Sequence, residues 1–157
     1  VAAADVPMKF HHDAGPNSML IQIMDPCAGW WPTPVHEFKE VHQFEFLDAE
    51  DADGFPDEAK ISDEQAQEIV KLLQHAKDNR MNVVVHCMAG LCRSGAVAEV
   101  GVMMGFGDCE RTRMPNLRVK HKLMKALGWT YDENEKQEAI NGTMSSSGII
   151  LPNGDWE

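Results

Sequence analysis

Ten consecutive residues, His86-Cys87-Met88-Ala89-Gly90-Leu91-Cys92-Arg93-Ser94-Gly95, hold the side chains best suited to chemistry in this chain. Cys87 and Arg93 bracket five residues, a spacing that lets a loop curl with its backbone N–H groups pointing inward. Continued by a helix N-terminus, such a nest binds an anion through Met88, Ala89, Gly90, Leu91, Cys92 and Arg93. Gly90 supplies the freedom that the tight bend needs. Arg93 can grip two oxygens of a phosphate-like anion, which a lysine does less well. The same converging dipoles favour the thiolate of Cys87, the form that attacks. Ser94 can donate to that sulfur and help it leave a covalent intermediate, and His86 can order the loop through backbone hydrogen bonds. The plainer alternative is a buried core thiol beside a helix-terminal arginine. Against it, an arginine at the dipole-disfavoured end of a helix, after a glycine-containing loop, implies an anion.

A strand must deliver this loop and a helix must close it. Residues 81–86 (MNVVVH) are apolar and β-branched, as in a central strand buried on both faces. A helix is expected over 94–106, with Val97, Val100, Met103 and Met104 on its apolar side and glycines at its end. Upstream, residues 19–24 read as a buried strand stopped by Asp25-Pro26, and 41–47 as a second strand with Phe44 and Phe46 on one face. Ser62 begins the clearest helix. Ser62 and Gln65 form a capping box, and Ala66, Ile69, Val70, Leu73 and Ala76 recur at helical spacing. Pro115-Asn116 opens another helix that Gly128 stops, and a short one is expected over 132–140. These elements imply a single α/β domain over 1–140, its central, mainly parallel sheet flanked by helices, with the loop between central strand and helix. Residues 141–157 read as a flexible C-terminal tail.

Bulk properties restrict the partners. The 157 residues are 43% hydrophobic and 25% charged, as in an ordinary globular domain. A formal charge of −11 argues against binding to nucleic acid or an anionic membrane. Four cysteines are few for a disulfide scaffold, and residues 1–6 lack a basic, then apolar, leader. Reduced thiols in a cytoplasm are therefore expected. His11-His12-Asp13 has no further ligands at metal-site spacing, so neither metal nor other cofactor is expected.

The pattern H-C-x5-R-S, between an apolar strand and a helix, resembles the signature of the cysteine-based protein tyrosine phosphatase superfamily. With no long tyrosine-recognition region before it, the chain is most similar to the compact dual-specificity branch. The resemblance extends over about residues 19–128: LIQIMDP is similar to an early strand of small bacterial and phage-type members, and PNLRVKHKLMKALG to the Pro-Asn helix after the loop in dual-specificity enzymes. The resemblance implies hydrolysis of phosphotyrosine, with phosphoserine or phosphothreonine as further substrates, in phosphoproteins or phosphopeptides through a phosphocysteine intermediate. It also fits a phage-encoded protein acting in a host cytoplasm. The family's general acid is an aspartate on a loop after an earlier strand. Asp48, following Phe46-Leu47, is the first candidate; Asp51 is the alternative and Asp53 the third.

Other readings remain open at this stage. CMAGLCRS also resembles the low-molecular-weight tyrosine phosphatases, although their loop is near the N-terminus and their acid lies in a late Asp-Pro. Cys92 is either a redox partner that shields Cys87 by a disulfide or simply a small residue of the loop. An arsenate reductase-like thiol enzyme, an RNA 5′-phosphatase and a non-catalytic phosphoprotein-binding module are the alternative functions. Arg111, Arg113, Arg118, Lys120, Lys122 and Lys125 form a basic cluster that reads as a solvated helix face. The superfamily's phosphoinositide phosphatases resemble one another in having basic loop residues, so with Met88, Ala89 and Leu91 uncharged the resemblance implies no lipid substrate.

Overall fold

The structure is a computed structural model that describes residues 2–6, 12–108, 112–129 and 150–151. Its elements are β1 (Ser18–Met24), β2 (Glu40–Glu45), α1 (Asp63–Asp78), β3 (Asn82–His86), α2 (Arg93–Met103), α3 (Leu117–Ala126) and β4 (Ile150–Leu151). The sheet order is β2-β1-β3-β4. β1 runs parallel to both β2 and β3, and β4 is antiparallel to β3. The α/β class, the mainly parallel sheet and the launch of a helix from the central strand are as expected.

Side-chain alternation explains why β1 and β3 read as continuous apolar runs. Met19, Ile21, Ile23, Val83 and Val85 join one core with residues of all three helices, including Ile69, Leu73, Val97, Val100, Val119 and Leu123. Leu20 and Val84 point the other way, into a smaller core with Val6, Ala14 and Phe38. A strand covered on both faces has no reason to alternate with polar residues. β2, at the edge, alternates half-buried or buried positions with exposed ones, and Phe44 and Phe46 share the helix-side core.

The helices begin where the sequence provides caps. Ser62 accepts from Gln65 N, and the Gln65 side chain accepts from Ser62 N, completing the capping box of α1. Its buried residues are Ala66, Ile69, Val70, Leu73 and Ala76, the stripe expected from spacing. Asn116 caps α3 by accepting from Val119 N. α2 ends at Met103, three residues earlier than expected, with Gly105 at φ +110° just beyond.

The basic cluster is solvated only in part: Lys125 is exposed, other members pack against carboxylates, and Arg111 lies outside the described residues. Arg113 and Lys120 are buried, with Arg113 Nε 2.6 Å and Lys120 Nζ 3.9 Å from Glu99 oxygens. Arg118 pairs with Asp51, and Lys122 with Asp63. An acidic chain supplies carboxylates that draw these cations into packing contacts. The helix expected over 132–140 lies outside the described residues, as does most of the tail, of which Ile150–Leu151 forms β4.

Candidate active site

β3 ends at His86, so Cys87 emerges at the carboxyl edge of the sheet, between β1 and the start of α2. Parallel strands leave a crevice at this edge, the usual ligand position of α/β sheets. Three flanking segments hold the loop by its carbonyls. Met88 O accepts from Ala3 N, Leu91 O from Met114 N, and Cys92 O from both Ala96 N and Asn116 N. With these carbonyls turned to the flanks, N–H groups are available to the interior, and Gly90 N donates to Cys87 Sγ at 3.3 Å. Gly90 adopts φ +76°, a left-handed conformation that favours glycine.

Cys87 is buried, and its Sγ lies 3.2 Å from Ser94 Oγ. Burial pushes the thiol up. Donors led by the Ser94 hydroxyl, with the backbone N–H groups of Ser94 and Gly90, overcome that and hold it below its ordinary value. α2 begins with no side-chain cap and no acidic residue in its first turn, so its positive end is left for an anion. His86, fully buried, has Nδ1 3.4 Å from Cys87 O, beside the loop backbone. Met88 is exposed at the rim.

Arg93 is buried, and its Nη1 donates to Asp25 Oδ1 and Phe46 O, each at 2.7 Å. Its Nε is buried with no hydrogen-bond partner among the described residues. An unsatisfied, buried guanidinium N–H is a costly arrangement that an oxyanion would relieve.

The acidic loop is pinned against α3. Asp48 is exposed; its Oδ1 accepts from Asn116 Nδ2 at 2.7 Å, and the backbone N of the same Asn116 donates to Cys92 O. Asp48 is thereby beside the Cys87–Arg93 loop. Asp51 instead pairs with Arg118 Nη1 at 2.6 Å, and Asp53 Oδ2 accepts from Glu50 N. Glu50 receives Leu117 N and Arg118 N, capping α3, and Lys60 Nζ donates to Asp51 O and Asp53 O. Of the three candidate acids, only Asp48 shares a hydrogen-bond partner, Asn116, with the Cys87–Arg93 loop among the described contacts. Cys92 is pushed up to about 12, first by burial and then by the Asp48 carboxylate. Its thiol is therefore a poor source of thiolate.

Two participants escaped sequence reasoning. Asp25 could have been suspected, because it closes a buried strand at the same sheet edge as Cys87. The contact of Ala2 and Ala3 with the loop had no local signal, since both are small apolar residues far away in sequence. Among the described residues no group of three or more His, Cys, Asp or Glu could hold a metal ion. No helix there is long and apolar enough to cross a membrane.

No protein-family model and no curated protein matches this chain. A solved structure described as Tk-PTP in the active form is similar at 16% identity and a TM-score of 0.35, covering 80% of this chain and 77% of that one. So distant a likeness leaves function to be read from the loop itself.

Proposed function

We propose that this protein hydrolyses phosphate monoesters, phosphotyrosine in proteins first among them, with phosphoserine and phosphothreonine as further substrates. The observation that carries the reading is Cys87. Its thiol is held below its ordinary value by Ser94 and Gly90, in a loop whose arginine keeps a buried Nε with no partner among the described residues. Backbone N–H groups and the Arg93 guanidinium would hold the phosphoryl oxygens. The Cys87 thiolate attacks phosphorus, the ester P–O bond breaks, and Asp48 gives its proton to the departing oxygen. Water then cleaves the S–P bond of the phosphocysteine, with Asp48 taking a proton from it and Ser94 stabilising the departing thiolate. Phosphate is released and the enzyme is restored.

Every group in this scheme comes from the chain, so turnover of p-nitrophenyl phosphate should persist in EDTA. Cys87→Ser should abolish it. Asp48→Asn should cost about 100-fold or more on a phosphotyrosine peptide, within the usual range for a general acid. Folded wild-type protein that binds a phosphopeptide without turnover would replace this reading by a phosphoprotein-binding module. Dependence on arsenate and a thiol reductant would replace it by arsenate reduction, for which Cys92 is an unfavourable resolving thiol.

A further inference from the structure

The hydrogen bonds of Arg93 are unevenly distributed. Both Nη1 hydrogens are committed, one to Asp25 Oδ1 and one to Phe46 O, each at 2.7 Å. Nε has no partner among the described residues although it is buried. A guanidinium is rigid and planar, so fixing Nη1 decides which edge is left over. That edge is Nε with Nη2, the one that can take two oxygens of a phosphate side by side. The anchors come from the breaks just after β1 and β2, whereas the loop follows β3. The guanidinium is thus tied across the ends of three parallel strands. Asp25 remains 42% exposed in its side chain against 4% for Arg93, so the pair is wet on the carboxylate side.

We propose that Asp25 is a positioning residue of the phosphate site: it holds Nη1 of Arg93 so that the Nε edge faces the bound phosphoryl group. This rests on the phosphate-ester reading above. The carboxylate has two effects of opposite sign. As an acceptor it orients the guanidinium; as a negative charge it weakens the attraction of Arg93 for an anion. Asp25→Asn keeps an acceptor oxygen and removes the charge, whereas Asp25→Ala removes both.

The test compares p-nitrophenyl phosphate kinetics, inhibition by inorganic phosphate and thermal melting for wild type, Asp25→Asn, Asp25→Ala and Cys87→Ser. Asp25→Ala should lower kcat/KM by about 10- to 100-fold, the scale on which a misplaced catalytic contact acts. Asp25→Asn should recover most of kcat and bind inorganic phosphate at least about threefold tighter than wild type, because a neutral amide no longer offsets the arginine charge. Wild-type kcat/KM in folded Asp25→Ala, with Cys87→Ser inactive, would overturn the role of Asp25 and leave the phosphatase reading standing. Equal losses in the two Asp25 variants, with no tightening towards phosphate, would also overturn it. Should Asp25→Ala fail to fold by melting, an unchanged phosphate inhibition constant in Asp25→Asn suffices to refute it. An inert wild type would remove the phosphatase reading and this inference together.

Discussion

Ser94→Ala removes the hydroxyl 3.2 Å from Cys87 Sγ while leaving the backbone donors of Ser94 and Gly90 in place. Losing a donor to the charged form disfavours the thiolate, so the thiol must move up. A hydrogen bond to a charged group contributes about 1.5–3 kcal/mol, and the surviving donors place this one near the low end. About 1.4 kcal/mol corresponds to a tenfold fall in the thiolate-to-thiol ratio. A more basic thiolate is also more nucleophilic, with a sensitivity of about 0.5. Alkylation well below the titration midpoint should therefore slow about threefold, not tenfold. The assay is the rate of iodoacetamide modification of the Cys87 peptide, followed by mass spectrometry from about pH 4 to about pH 9. The expected result is a midpoint displaced to higher pH, with slower phosphatase turnover as the sulfur becomes a poorer leaving group. A midpoint coincident with wild type would refute the reasoning, since backbone dipoles alone would then set the thiolate.

Asn116→Ala removes the donor to Asp48 and Ala49 O together with the cap on Val119 N. It should cost about 1 kcal/mol of stability through the cap, measured by urea unfolding. It should also slow phosphotyrosine peptides more than p-nitrophenyl phosphate, whose leaving group needs little protonation. Ser62→Ala breaks the capping box of α1 and should lower unfolding stability by about 1 kcal/mol without altering KM. With the Cys92 thiol pushed up to about 12, only about one molecule in 10⁵ carries its thiolate near neutrality. Mild peroxide should therefore convert Cys87 to sulfinic acid faster than to a Cys87–Cys92 disulfide, and Asp48→Asn should raise the disulfide share. Rapid, complete disulfide formation in wild type would contradict this.

The sequence by itself determined the longer elements and the make-up of the Cys87–Arg93 loop, whereas β4 carried no local signal. Apolar runs at β1 and β3, the stripe on α1, and the caps at Ser62 and Asn116 are local signals, each carried by residues within one or two turns of one another. The loop was legible for the same reason: Cys87, Gly90, Arg93 and Ser94 lie within eight residues, and their types suit one anion. Tertiary structure decided what depends on distant partners. Composition could not separate Asp48 from Asp51, because both lie in one acidic stretch; Asn116 and Arg118 sort them, 68 and 67 positions away. Nor could helical spacing show that Arg113 and Lys120 are buried on Glu99, since a basic residue on a helix looks solvated until an acidic neighbour is placed against it. The anchoring of Arg93 by Asp25 spans 68 residues and exists only because parallel pairing brings the ends of β1 and β3 to one edge. Local pattern set the residue types of the loop, and tertiary packing set which carboxylates lie near it.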